Sequence, residues 1–294
     1  MVIRYSPGRK AFLLVNTIFL GAFTILVAIP VVHVLMASFS DPFGLGKHEG
    51  LLIWPAGFSL EGYSLVFNSP KIWIGYRNTI FYTVCAVALG TMLTLLGAYS
   101  LSRKNLFWGN VMMFMITFTM IFNGGIVPTY LLINALGWID TPWALIVPSS
   151  MSAFNLIIMR TFFQGIPDSL EESAKLDGAS KLRILFSIMI PLAKSSIAVI
   201  SLFYTVFHWN SFFQAMLYIR KKDLFPLQLV LRDMLLQSAG TSALSTADAG
   251  GRNQLALELL KYSTIIISIV PMLIAYPFIQ RYFVGGVMIG AVKG

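Results

Sequence analysis

IPDSLEESAKLDGASKLRILFSIMIP, residues Ile166 to Pro191, is a polar interruption between two long apolar runs. Ser169 followed by Glu172 is a capping-box spacing, which predicts a short helix from about Leu170 to Asp177, and Gly178 supplies the left-handed residue that ends it. Ser180 caps a second helix. In that helix Leu182, Leu185, Phe186 and Met189 fall at i, i+3, i+4 and i+7, giving one apolar face beside Lys181 and Arg183. Two short helices at a sharp bend, exposed between apolar spans, make a surface for another protein to grip.

Working outward, the chain is 57% hydrophobic and 11% charged, with mean hydropathy +0.77. An ordinary soluble domain is about 25% charged. A bilayer core takes roughly 20 apolar residues per helix, and six such runs occur, at about 11–38, 78–101, 108–133, 142–163, 191–217 and 262–283. Spanning helices satisfy their own backbone, so the expected fold is an all-α integral membrane bundle of six helices. The first run is nearly twice the length of a signal-peptide core and lacks an A-x-A site, so it is expected to stay as an anchor.

Basic residues in short loops set orientation. Arg4, Arg9 and Lys10 precede the first span, Arg103 and Lys104 follow the second, and the loop after the third holds Asp140 without Lys or Arg. Both termini and the 164–190 loop are therefore expected on the cytoplasmic side. With span ends counted to the nearer face, cytoplasmic segments carry a net +8 and external ones +1. The formal charge of +9 and the pI near 9.7 thus report membrane orientation, and the dispersed charges lack the basic, aromatic-studded patch of a nucleic-acid binder.

The chain is expected to form a single transmembrane domain over 1–294: an N-terminal tail (1–10), an external loop (39–77), the docking loop (164–190), a second external loop (218–260) and a tail (284–294). Pro42, Gly44, Gly46, Gly50, Pro55 and Pro70 punctuate the first external loop, and Trp54, Phe58, Tyr63 and Trp73 suit the headgroup level. Ser238 to Gln254, SAGTSALSTADAGGRNQ, has the composition of a flexible connector. Gly124, Gly125 and Pro128 should break the third run, either beside a translocation path or as a purely structural kink. The single Cys85 lies mid-span and permits no intrachain disulfide.

Residues of the docking loop carry a resemblance. Glu172-Ser173-Ala174, Asp177-Gly178-Ala179 and Pro191, with Ile166-Pro167 in front, resemble the EAA loop of membrane subunits of ATP-binding cassette importers. GGIVPTYLL (Gly124 to Leu132), LQLVLRDML (Leu227 to Leu235) and QRYFVGGVMIGAVKG (Gln280 to Gly294) are similar to the maltose-type carbohydrate permeases, nearest to subunits that import oligosaccharides released from complex polysaccharides. The resemblance covers most of the chain from about Arg77; Ser173 departs from the usual alanine but is small enough to fit. It implies the type I importer permease fold with Glu171, Glu172, Ser173, Ala174, Asp177, Gly178 and Ala179 as the ATPase-coupling set. Glu172 would pair with a basic residue of the ATPase, and Ala174 and Ala179 would pack in its cleft. It also implies a second, related permease, two ATPase subunits, an external solute-binding protein and an oligosaccharide substrate in a bacterial inner membrane. The 218–260 loop would reach into the binding protein and the Gly285 to Gly294 tail into the ATPase dimer.

No Asp or Glu lies inside the six runs, which removes most support for an ion-coupled carrier. No G-x-x-x-x-G-K-[ST] loop is present; Gly46-Lys47-His48 lacks its hydroxyl and upstream glycine. ATP and Mg would therefore belong to partner subunits, with no cofactor, metal or catalytic residue on this chain. His33, His48 and His208 are far apart in sequence and make no metal set with Cys85. For sugar contacts, which stack on aromatics and bridge planar amides, the spans offer Asn123, Tyr130, Asn155, Tyr204, His208, Trp209, Asn210 and Gln214. Interhelical hydrogen bonding and packing account for the same residues. The competing readings are an ATP-independent channel or facilitator for a small polar solute, which leaves the 172–178 loop unexplained, and a membrane-embedded enzyme, for which the spans hold no nucleophile, base or metal cluster.

Overall fold

The computed structural model describes residues 6–104, 106–244 and 250–291. Arg4, residues 245–249 of the Ser238–Gln254 stretch, and residues 292–294 lie outside the described residues. The elements are α1 (Pro7–Ser38), α2 (Pro42–Lys47), α3 (Glu61–Phe67), α4 (Pro70–Leu101), α5 (Gly109–Ile121), α6 (Ile126–Ala135), α7 (Trp143–Ile146), α8 (Ala153–Gln164) and α9 (Asp168–Leu176). They continue as α10 (Lys181–Ile184), a π turn (Leu185–Met189), α11 (Ile190–Leu192), α12 (Lys194–Trp209), α13 (Phe213–Tyr218), a 3₁₀ turn (Lys222–Leu224), α14 (Leu227–Leu244) and α15 (Gly250–Ala291). Among the described residues the only β pairing is an isolated bridge between Ser40 and Phe58.

Three described helices, Pro7–Ser38, Pro70–Leu101 and Leu255–Pro277, are long and apolar enough to cross a bilayer. Counting each bent pair as one span raises that to five, where the sequence suggests six. The missing run is 142–163. Pro148 withholds a donor, while Ser149 Oγ and Ser150 Oγ donate to the Leu145 and Val147 carbonyls at 3.1 and 2.8 Å, which divides the run between the single turn of α7 and the 12-residue α8. The third run breaks where expected: α5 and α6 bend by 110° across Asn123-Gly124-Gly125. Gly125 has φ +88°, and the Asn123 side-chain oxygen accepts from its N–H at 3.0 Å. The fifth run departs from a continuous helix, because Lys181–Leu192 meets α12 at 86° and α12 stops before α13.

Contacts gather the chain into two compact units, Met1–Pro70 with Leu231–Ile269, and Lys71–Val230 with Val270–Gly294. In the first, the 39–70 segment is more ordered than a punctuated loop. Asp41 caps α2 through the Phe43 and Gly44 N–H groups, Ser38 Oγ bonds Tyr63 OH at 2.9 Å, and Ala37, Leu45, Leu52 and Leu259 form a small core. His33 Nδ1 accepts from Leu52 N–H at 3.1 Å and serves packing. Trp54 and Phe58 stay 81% and 74% exposed, as interfacial aromatics would. The Ser238–Gln254 stretch has the composition of a flexible connector, yet it is helical where described: α14 runs to Leu244, and α15 starts at Gly250 and continues through Gly286 and Gly290 to Ala291.

The second unit has two cores strung along α4. The first joins the C-terminal half of α4 (Leu95, Ala98, Tyr99) to α8 (Leu156, Met159, Phe163), α9 and the 184–193 turns. The second joins Tyr82 and Ala86 to α7, α13 and Leu229. The N-terminal part of α4 is pinned by polar side chains: Asn78 Nδ2 donates to Asp223 O at 2.7 Å and Phe225 O at 3.1 Å, and Tyr82 OH to Leu224 O at 2.9 Å. α1 and α5 present broadly exposed apolar surfaces, Phe12, Phe19, Phe114 and Ile121 among them, as lipid or a partner helix requires.

Candidate functional site

The capping box does not form. α9 begins at Asp168 behind Pro167, without a side-chain cap, and places Asp168 and Glu171 in the first turn, where carboxylates complement the helix dipole. The other end follows the sequence. Gly178 has φ +77°, its N–H donates to Lys175 O at 3.0 Å, and Ala179 N–H closes a six-residue turn onto Ala174 O at 2.9 Å. Ser180 then caps α10 through Arg183 N–H at 3.3 Å.

The helix has two faces. Glu171 and Ala174 are only 6% and 8% exposed and pack on the first core, against which Ala179 also lies. Of the two alanines assigned to a partner's cleft, Ala174 therefore fills this chain's own interior, and Ala179 is half-buried against the same core of α4 and α8 residues. Glu171 pairs with Arg103, and Lys175 Nζ reaches the same carboxylate at 2.8 Å. One turn earlier Lys104 Nζ meets Asp168 Oδ2 at 2.5 Å; the hydrogen bond and charge hold the Asp168 carboxyl below its ordinary range and the Lys104 ammonium above its own. Glu172, Ser173, Asp177 and Gly178 face outward, and Leu176 between them is 90% exposed. The expected apolar face of the second helix is split: Leu185 and Met189 are buried, while Leu182 and Phe186 are 61% and 47% exposed. The π turn rotates the side-chain register there, and Ile184 takes an inward place.

The sugar-contact candidates scatter into three settings. Asn155 and Tyr204 meet in a cleft of about 410 Å³, with Ser149, Met151, Ser152, Phe154, Phe203 and Phe207. Tyr204 is 2% exposed; its hydroxyl bonds Thr94 Oγ1 at 2.7 Å and accepts from Ser152 N–H at 3.0 Å, the geometry of interhelical packing. His208 is buried and hydrogen-bonded to the Ser149 backbone, with no hydrogen-bond partner for Nε2 among the described residues. Gln214 Oε1 accepts from Ser149 and Ser211 at 3.3 and 3.4 Å, and Trp209 is buried edge-on to Tyr76. Tyr130 stands apart, accepting from Arg220 at 3.2 Å and stacked on Tyr218, while Asn123 and Asn210 are exposed at helix breaks. No group of three potential metal ligands occurs among the described residues.

Residues 80–288 match the family described as the binding-protein-dependent transport system inner membrane component. The chain belongs to that family. Relatives of this permease include the polygalacturonan/rhamnogalacturonan transport system permease protein YtcP of Bacillus subtilis (strain 168), 40% identical over 276 residues, 94% of this chain and 96% of the relative. Protein LplC of the same organism is 38% identical over 292 residues, 98% and 97% of the two chains. A chain in the crystal structure of a bacterial ABC transporter involved in the import of the acidic polysaccharide alginate superposes with TM-score 0.86 at 33% identity, covering 95% of the permease and 99% of that chain. A second chain, from an alginate transporter in complex with its alginate pentasaccharide-bound periplasmic protein, shares the fold at TM-score 0.61 and 17% identity, over 93% and 96% of the chains.

Sequence reading missed Leu176, Arg103, Lys104 and Ser149 in this permease. Leu176 left a signal, an apolar residue off the helix's inward stripe. Arg103 and Lys104 lie 64 or more residues from their partners, and no spacing rule links them.

Proposed function

We propose that this permease is one transmembrane half of an ATP-driven importer that takes oligosaccharides from an external binding protein into the cytoplasm. The observation that carries the reading is the two-faced α9, fixed inward by Glu171 and Ala174 while Leu176 stands bare beside Glu172 and Gly178. α9 exposes Leu176 at 90% and Leu170 at 44%, apolar surface on an otherwise charged and polar helix exterior that a docked partner would cover. The partner is an ATPase subunit, and two copies of it carry ATP and Mg, leaving this chain non-catalytic and cofactor-free. A second, homologous permease completes the pathway.

The substrate class is a polysaccharide-derived oligosaccharide, and acidic fragments such as those of pectin or alginate fit best. Support comes from relatives named for polygalacturonan and for alginate. The chain works as one permease domain with six crossings, the fourth made by the broken α7–α8 pair, with both termini and α9 cytoplasmic in the bacterial inner membrane. ATP closes the ATPase dimer, docked loops are drawn together, the cavity opens outward, and hydrolysis resets it. The cleft holding Asn155 and Tyr204 is the candidate contact with sugar; its Phe154, Phe203 and Phe207 supply faces for stacking.

The test is a pull-down of tagged protein from membranes of its host in mild detergent, comparing wild type, Leu176→Asp and Gly178→Asp. Recovery of a second permease and an ATPase by wild type, with the ATPase lost in both variants, is the expected result. A lone homo-oligomer in all three would overturn it in favour of an ATP-independent facilitator.

A further inference from the structure

α9 leaves its outward face for a partner and gives its inward carboxylates to a two-residue basic turn at the end of α4. Arg103 meets the buried Glu171, and Lys104 meets Asp168. Arg103 is itself held in place: its guanidinium lies 4.7 Å over the Tyr99 ring, and Nε and Nη2 donate to Ser102 Oγ at 3.1 and 2.8 Å. Arg160 of α8 donates to Leu101 O at 2.9 Å, so the same helix end is tied to α8 as well. Exposed pairs contribute little, but a buried carboxylate stripped of its counter-charge is left uncompensated.

We propose that Arg103 and Lys104 are positioning residues for transport, a charge clamp that joins α9 to α4 so that a displacement of α9 moves α4 as a lever. The inference rests on the coupling reading above. Without the clamp, motion of α9 is absorbed at Gly165-Ile166-Pro167, the short connection from α8. With it, the push enters a helix of 32 residues, about 48 Å long at 1.5 Å per residue. The far end of that helix is pinned through Asn78 and Tyr82 to the 223–225 segment. The clamp thereby links the docking face to the opposite end of the bundle through one rigid element and two sets of side-chain contacts, which is the physical requirement for long-range coupling.

The experiment uses the purified full transporter in lipid vesicles, on a Cys85→Ser background with Trp73→Cys as reporter at the outer end of α4. Trp73 is 53% exposed. Labelling by a membrane-impermeant maleimide is compared without nucleotide and after trapping with ATP, Mg and vanadate in the presence of the binding protein. Wild type is expected to change its labelling rate by about fivefold or more, at the lower end of usual allosteric couplings. Arg103→Glu is expected to retain the ATPase subunit and lose that response, and Glu171→Arg to lose the same response. The double swap, Arg103→Glu with Glu171→Arg, and the conservative Arg103→Lys are expected to regain it, which a merely structural role would not produce.

Single variants that respond like wild type, a double swap as silent as its parents, or a silent wild type would each overturn the clamp. Should either single variant fail to assemble, the exposed pair repeats the test as Lys104→Asp, Asp168→Lys and their combination, judged by the same outcomes. Failure of wild type to recover any ATPase would instead overturn the coupling reading, and the clamp with it.

Discussion

Glu171 and Glu172 are neighbours in sequence with opposite fates. Successive residues on a helix point about 100° apart, so the first turns into the core and the second turns out to solvent. Leu176 lies one turn beyond Glu172 on that outer face. Because it is 90% exposed, Leu176→Asp is expected to leave the melting temperature of the detergent-solubilised protein unchanged while reducing ATPase recovery by about tenfold, the scale on which a docking anchor acts. Gly178 behaves differently. No heavy atom lies within 4 Å of the site a Cβ would take, so the cost of a substitution is conformational. Gly178→Ala is expected to lose about 1–2 kcal/mol from the α9 turn and Gly178→Asn less, readable as ordered melting temperatures. For Asp168, whose carboxyl is held low by Lys104, the sign is that of any depressed acid. Its stabilisation is present above the ordinary value of 3.8 and is lost as pH falls below it. The difference in melting temperature between wild type and Asp168→Asn is expected to be constant near neutrality and to vanish in acid.

At the scale of elements, breaks matter as much as helices. α5 and α6 part at Gly125, where φ is +88°, and the sequence announced that break through Gly124, Gly125 and Pro128. It did not announce the π turn at Leu185–Met189, which has no residue signature and splits a regular heptad-like stripe into buried and exposed halves. Nor did it reveal how closely α4 approaches the 147–152 turn: a Cβ on Gly90 would stand 2.1 Å from Ser150 O. Gly90→Val is therefore expected to cost about 1–3 kcal/mol through overpacking and to lower thermal stability. Gly21→Val on α1, with nothing within 4 Å, is expected to be near neutral in the same assay.

For the whole molecule, charge and hydropathy set how it lies in the membrane. The short segments 1–10 and 102–107 hold five basic residues and no acidic one, which puts them and the 164–190 loop on the cytoplasmic side, so Ser173→Cys on the Cys85→Ser background is expected to react with an impermeant maleimide in inverted vesicles and not in right-side-out cells. The opposite pattern would reverse the orientation. Composition and run length together made this chain an all-α membrane protein, because a water-free core leaves the backbone only helices or closed barrels, and apolar runs of about 20 residues or more have the length of helices. Motif spacing alone marked the bend between two short helices at 177–180, because the turn at Gly178 requires a residue free to adopt positive φ. Local rules went no further than local contacts. Which carboxylate of α9 is buried, which alanines fill the core, and that Arg103 and Lys104 grip a helix more than sixty residues away were decided only by the tertiary structure. Burial and ion pairing depend on which helices stand beside one another, and no periodicity within a single element encodes that.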